Sequence, residues 1–204
     1  GHTFDLADDW KEIDFVEAIK ENFNVDIVND NEESMLKALK DKGLEVEEGM
    51  NRNRMTDSMW KYVRSSISGP AFLVNHPMFV SPLAKSKEEN QNITERFQVI
   101  IAGSELGNGY SEINDPQDQL MRFLEQQKLR ESGDEEAQML DIDFVEMLEY
   151  GMPPVSGYGQ SERVFWFLEN ITAREGTLFP QMKPELEQST KKIYKDILPK
   201  VKKK

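Results

Sequence analysis

The sequence predicts an α+β chain, on three observations. Apolar residues recur at helical spacing through the first third. The period then changes at Gly69-Pro70, after which short apolar runs are cut by Gly and Pro. Residues 96–101 and 106–113 read as neighbouring antiparallel strands joined near Gly103. With 204 residues, 38% hydrophobic and 9% aromatic, the chain fits one domain of moderate size with a real core.

Residues 11–22 place Ile13, Phe15, Val16 and Ile19 on one face of a first helix. Asn29 or Asn31 caps a second, running to about Leu39 and closed by Gly43. Residues 43–54 read as a polar loop, and Thr56 as the N-cap of a third helix with Trp60 and Val63 inward. Residues 71–74 form a short buried strand. Pro77 and Pro82 punctuate a loop that carries Ser81 and Lys85.

Beyond the paired strands, Asp115 caps a long helix with Pro116 at its first position. Leu120, Phe123, Leu124 and Gln127 mark its inner face. An acidic turn follows at 132–136. Residues 143–150 are another helix, stopped by Gly151 and Pro153-Pro154. Gly157 and Gly159 then open a last core helix over 160–169, whose N-terminus favours anions such as phosphates. That spacing matches neither a P-loop nor a dinucleotide fingerprint.

The absence of cysteine removes disulfides, thiolate metal sites and cysteine nucleophiles. His2 and His76 are the two histidines, so no multi-histidine metal site can form. Gly1-His2 reads as the scar of a cleaved tag, and His76, in His-Pro between apolar stretches, as a structural turn histidine. A net charge of −13 argues against a dedicated nucleic-acid-binding domain. The C-terminal lysines, from Lys191 to Lys204, read as a solvated tail. No apolar run is long enough to span a bilayer, and no secretory signal is visible.

The most informative stretch is 102–115, AGSELGNGYSEIND. Strand alternation projects Asn108, Tyr110 and Glu112 from one face and puts Gly107 and Gly109 on the other. Glycines there leave room for a ligand or a backbone to come close. A carboxylate, an amide and an aromatic ring together suit a small cationic, hydrogen-bonding ligand. Glu105 has the opposite parity and joins that face only through a bulge or turn. An ordinary half-exposed strand with a glycine bulge is the competing reading.

Residues 103–119 (GSELGNGYSEINDPQDQ) resemble the amino-acid-binding strand of class II lysyl-tRNA synthetases. Residues 75–85 (NHPMFVSPLAK), 151–159 (GMPPVSGYG) leading to Arg163, and 177–184 (TLFPQMKP) follow the same family order. The combination of VSPLAK with GNGYSE distinguishes the lysine family from its aspartate and asparagine relatives. The match is dense over 69–185 and weaker over 4–68.

The resemblance implies an α+β fold, an antiparallel sheet flanked by helices forming part of a class II synthetase catalytic core. Residues 1–2 are then the scar and 3–68 a helical connecting segment after motif 2. Residues 69–185 are the core fragment with motif 3, and 186–204 a basic tail, helical or disordered. The activity implied is lysine activation by ATP to lysyl-adenylate and transfer to tRNA, in the cytoplasm, by a homodimeric parent. Asn108, Tyr110 and Glu112 would bind lysine. Arg163, the motif 3 arginine, would act catalytically and bind ATP, with Gly157, Gly159 and Glu105 also on ATP. Glu105 would hold Mg2+, with Gln98 standing where the family has a second metal-binding glutamate.

Motif 3 is one residue shorter than the family's G-x-G-x-G-I-D-R and lacks its last glycine. No counterpart of motif 1 or motif 2 occurs in the sequence. The chain by itself is therefore expected not to charge tRNA. A non-catalytic binding or regulatory paralogue, and an amino-acid ligase acting on a protein, are the alternatives.

Overall fold

The helical pattern that begins at residue 11 resolves into a strand and a helix. In the computed structural model, β1 is Lys11–Asp14 and α1 is Phe15–Phe23. Asp14 ends the strand and caps the helix, its carboxylate accepting from the Glu17 N–H at 2.9 Å. Ile13 therefore belongs to the sheet and not to a helix face. The structure describes residues 2–47, 49–134, 137–181 and 188–193. It divides into two compact units, Gly1–Glu162 and Arg163–Lys204.

In the first unit, α2 (Glu32–Asp41) is capped by Asn31 and followed by Gly43 in the left-handed region, as expected. The third helix, α3 (Arg52–Arg64), starts four residues before the predicted cap. Asn51 takes that role, accepting from Arg54 N–H at 3.0 Å. Thr56 is instead buried inside the helix, and its hydroxyl has no hydrogen-bond partner among the described residues. Trp60 and Val63 point inward as predicted.

The sheet runs in the order β1-β2-β3-β4-β5, with β2 at Ala71–Val74, β3 at Arg96–Ile101, β4 at Ser104–Ser111 and β5 at Ser156–Gln160. The pairs from β2 to β5 are antiparallel, whereas β1 joins β2 in parallel. The sheet is thus mixed, with α1 to α3 making the crossover from β1 to β2. Gly69 precedes Pro70 through a cis bond at φ 77°, and a Cβ there would collide with the Ile100 carbonyl. Ala102 and Gly103, both at positive φ, form the two-residue turn between β3 and β4.

The two sheet faces differ. Ala71, Leu73 and Ile100 join Phe15, Ile19, Met35, Leu39, Met59 and Trp60 in the main core, so the helices cover one face over the early strands. On the other face Phe72, Phe97 and Tyr158 line up, with Phe97 and Tyr158 stacked at 5.7 Å and 7°.

Asp115 and Pro116 open α4 (Pro116–Glu131) as expected. Its inward residues include Gln119, Arg122 and Phe123, while Leu124 is exposed. Arg122 is buried because it pairs with Asp118 and donates to Ser86 and to the Pro82 carbonyl, tying α4 to the loop before β3. Phe123 meets Phe144 of α5 (Ile142–Glu149) edge-on at 6.1 Å.

Residues 157–160, expected to lead into a helix, belong to β5. In the second unit α6 is Arg163–Glu169, with α7 at Ala173–Gly176 and α8 at Gln188–Ile193. Residues 182–184 of the family-like TLFPQMKP stretch, and the tail from 194 onward, lie outside the described residues.

Candidate functional site

Strand register sets the site. Gln98 faces Asn108, which faces Gly159; Arg96 faces Tyr110, which faces Gly157. Directly opposed residues share a face, so Arg96, Gln98, Asn108, Tyr110, Gly157 and Gly159 form one patch across β3, β4 and β5. The core covers this same face over Leu73 and Ile100, and the patch begins where the core ends.

Glu105 joins the patch through a bulge. The β3–β4 register shifts between Val99 and Ile100, so Val99 faces Gly107 while Ile100 faces Glu105. The extra residue, Leu106, is buried and reverses the parity of Glu105. Glu105 then accepts from Trp60 Nε1 at 2.8 Å, from Arg64 at 3.2 Å and from Gln98 Nε2 at 2.9 Å.

Asn108 is oriented from the adjacent strand, its Oδ1 accepting from Arg96 Nε at 2.8 Å. Arg96 also donates to Ser81 Oγ at 2.8 Å and to the Val80 carbonyl at 3.2 Å. Burial pulls the Arg96 pKa down, and the nearby Glu105 and Tyr110 push it back up. With Oδ1 engaged, the Asn108 amide nitrogen is the group it offers a ligand.

Glu112 follows the end of β4. Its N–H donates to the Val155 carbonyl at 2.9 Å, and its carboxylate lies 3.8 Å from where a Cβ on Gly157 would be. A cavity of about 210 Å³ opens here, lined by Lys85, Glu95, Glu112 and Val155 among others. Ser111 and Ser156, which also line it, have the opposite parity to Tyr110, so Glu112 marks where the cavity meets the patch.

The glycines divide into two kinds. A Cβ on Gly109 would lie 2.6 Å from the Phe97 ring, and one on Gly107 would strike Tyr158. The space foreseen beside these glycines is thus filled by the chain's own aromatic rings. Gly157 and Gly159 have no such neighbour: the nearest atoms to their added Cβ are at 3.8 and 4.0 Å, and neither has a positive φ. Packing does not require glycine there. Its effect is to leave backbone bare beside Asn108, Tyr110 and Glu112.

Two expectations change. Gly157 and Gly159 lie in a strand, so they do not form a helix N-terminus for phosphates. Arg163 is the first residue of α6, in the second unit. The Mg2+ role implied for Glu105 and Gln98 rests on the resemblance; here Gln98 donates its amide nitrogen to the Glu105 carboxylate at 2.9 Å.

Sequence reasoning missed Arg96, Trp60 and Arg64. Alternation along 96–101 already put Arg96 with Gln98, which was the available signal. His76, read as a turn residue, is buried, and its Nε2 lies 2.9 Å from Gln98 Oε1. Gln98 donates its amide nitrogen to Glu105, and His76 Nδ1 lies 3.3 Å from the Arg96 carbonyl, so both ring nitrogens of His76 face oxygen atoms.

Comparison with known proteins gives consistent findings. The family model for class II tRNA synthetases (D, K and N) matches residues 2–183. A lysine–tRNA ligase of Thermotoga maritima is 44% identical over 187 residues, 91% of this chain and 37% of that protein. A lysine–tRNA ligase of Roseiflexus sp. is 39% identical over 188 residues, 90% of this chain and 38% of that protein. One of Christiangramia forsetii is 38% identical over 202 residues, 95% of this chain and 36% of that protein. The chain thus spans little more than a third of these relatives.

Proposed function

The chain belongs to the class II tRNA synthetases (D, K and N), and on that premise we propose that it is the lysine-binding part of a lysine–tRNA ligase. The whole protein would activate L-lysine with ATP to lysyl-adenylate and pass it to tRNA. It would act in the cytoplasm as a homodimer. Among the described residues no helix is long and apolar enough to cross a membrane.

One observation carries this reading. Asn108, Tyr110 and the Glu112 carboxylate border a strip of backbone kept bare by two glycines that packing does not demand. Glu112 would pair with the lysine ammonium, a strongly hydrated point charge that needs a full counter-charge to leave water. Asn108 would donate to the substrate, and Tyr110 would cover its aliphatic stem. Gly157 and Gly159 would let ATP lie close to β5, with magnesium arriving on its phosphates. The catalytic role of Arg163 on ATP rests on the resemblance.

The reaction needs no enzyme nucleophile. The lysine carboxylate would attack the α-phosphate in line, forming the mixed anhydride as the bond to the β-phosphate breaks and pyrophosphate leaves, so positioning and charge neutralisation do the work. Calorimetric titration with L-lysine tests the reading. We expect binding that weakens about 10–100-fold in Glu112→Gln, the loss of one charge-assisted pair. Lysine binding unchanged by that substitution removes Glu112 from the site. The chain alone is expected to show no tRNA charging, which an aminoacylation assay checks. Gln98, which presents an amide to Glu105, is the observation that favours the second reading, a binding paralogue without catalysis.

A further inference from the structure

We infer that Lys85 is a positioning residue for Glu112 and acts through Asn114. This role rests on the proposed function, in which Glu112 meets the substrate ammonium. Glu112 stands where β4 changes partner. Up to Tyr110 the opposing residues come from β3, and the Ser111 N–H still donates to the Glu95 carbonyl at 2.9 Å. At Glu112 the opposite residue is Ala84, and on the other side its own N–H donates to the Val155 carbonyl at 2.9 Å. Lys85 inserts at that junction. Its N–H donates to the Ser111 carbonyl at 2.9 Å, and its carbonyl accepts from the Glu95 N–H at 2.8 Å. The loop is anchored there: Ala84 and Ser86 are buried, and the buried Arg122 donates to the Pro82 carbonyl at 3.3 Å and to Ser86 Oγ at 2.8 Å.

The Lys85 side chain closes the arrangement. Its Nζ donates to Asn114 Oδ1 at 3.1 Å, and Asn114 Nδ2 donates in turn to the Met152 carbonyl at 3.4 Å. Asn114 follows Glu112 closely in sequence, and Met152 shortly precedes Val155. The link therefore straddles the Glu112–Val155 hydrogen bond and ties together the three backbone segments that meet at Glu112. Lys85 lines one cavity with Glu95 and Glu112, and an ammonium gains more from a carboxylate than from a neutral amide. Its Nζ is nevertheless bonded to the Asn114 amide, and among the described residues no ion pair within 4.0 Å joins it to either carboxylate. The resident cation thus braces the Glu112 segment and leaves the Glu112 carboxylate for an external one. The length of a substrate side chain is read by where its ammonium meets that carboxylate. A Glu112 free to shift would discriminate lengths poorly.

The whole chain is compared with Lys85→Met, which keeps an unbranched stem and removes the ammonium, with Lys85→Arg, with Asn114→Ala and with the Lys85→Met/Asn114→Ala double variant. Without ligand, 15N relaxation should show the Glu112 amide order parameter falling clearly below the rigid value of about 0.85 in Lys85→Met, while Ile19 in the main core keeps the parent's value. Asn114→Ala should match that fall, the double variant should add nothing further, and Lys85→Arg should restore rigidity. With ligand, calorimetric titration compares L-lysine with L-ornithine, which is one methylene shorter. The preference for lysine should narrow roughly 3–10-fold in Lys85→Met and recover in Lys85→Arg. A Glu112 amide unmoved by Lys85→Met, or one that loosens together with Ile19, would overturn the inference. So would lysine and ornithine affinities that fall by the same factor, because a general loss of stability lowers both alike. Lysine binding that survives Glu112→Gln would remove the proposed function, and the relaxation data would then decide the hold of Lys85 on Glu112 by themselves.

Discussion

Arg96 on β3 donates through Nε to Oδ1 of Asn108 on β4 at 2.8 Å, so the Asn108 amide is aimed from the neighbouring strand. The guanidinium does this with one edge while its NH1 holds Ser81 and the Val80 carbonyl. A lysine in its place has one point charge and cannot span these partners in fixed directions. Arg96→Lys is expected to weaken lysine binding about 10-fold, one hydrogen bond's worth of misaim. Titration calorimetry reads it, and an unchanged affinity would show that Asn108 needs no such support.

Gly157→Val and Gly109→Ala should separate binding from folding. At Gly157 the nearest atom to an added Cβ is 3.8 Å away, so the variant folds with stability within about 0.5 kcal/mol of the parent. Its side chain occupies the strip beside Glu112, and lysine binding falls. At Gly109 the added Cβ meets the Phe97 ring at 2.6 Å and the Gly157 carbonyl at 3.0 Å. That variant should lose about 1–3 kcal/mol. Urea denaturation and lysine titration of both variants check the contrast; equal behaviour would deny it.

The legible parts of this fold were those written in local chemistry. Asp115 with Pro116, and Asn31 with Gly43, announced helix ends because capping involves groups a few residues apart. β3 was visible from its apolar run. β5 was not, because Ser156–Gln160 is exposed along its length and becomes a strand only through pairing with β4. β1 was hidden for a related reason: Asp14 caps α1 directly, so one apolar period runs through both elements. Asn108, Tyr110 and Glu112 could be grouped by alternation alone. Glu105 required a bulge that the sequence permits without specifying. The contact of His76 with Gln98 spans 22 positions and depends on the β2–β3 pairing, beyond any local pattern.

Thr56 offers a stability test independent of ligand. Its side chain is fully buried in α3 and its hydroxyl has no partner among the described residues. Thr56→Val keeps the shape and removes the desolvated hydroxyl. It should stabilise the chain by about 1 kcal/mol. Chemical denaturation decides: a loss of stability would mean that the hydroxyl is satisfied in solution, for example by a buried water.

His76 should make stability depend on pH in a defined window. Its pKa falls from the usual 6.5 to about 4 in the fold, first through burial and then through the charge of Arg96, against the opposing pull of Gln98, the Arg96 carbonyl and Glu105. Above pH 6.5 both folded and unfolded chains carry a neutral imidazole, and the residue contributes no pH dependence. Between pH 6.5 and 4 the unfolded chain binds a proton that the folded chain refuses, so stability declines as the pH falls. Below about 4 both states are protonated and the contribution levels off. The full effect is on the order of 3 kcal/mol. His76→Gln keeps a donor for Gln98 Oε1 and removes the titration. Denaturation of both chains at pH 7 and pH 5 isolates the histidine from the carboxylates common to the two. The parent should lose more stability between these pH values than the variant, and parallel losses would mean that His76 is solvated in the fold.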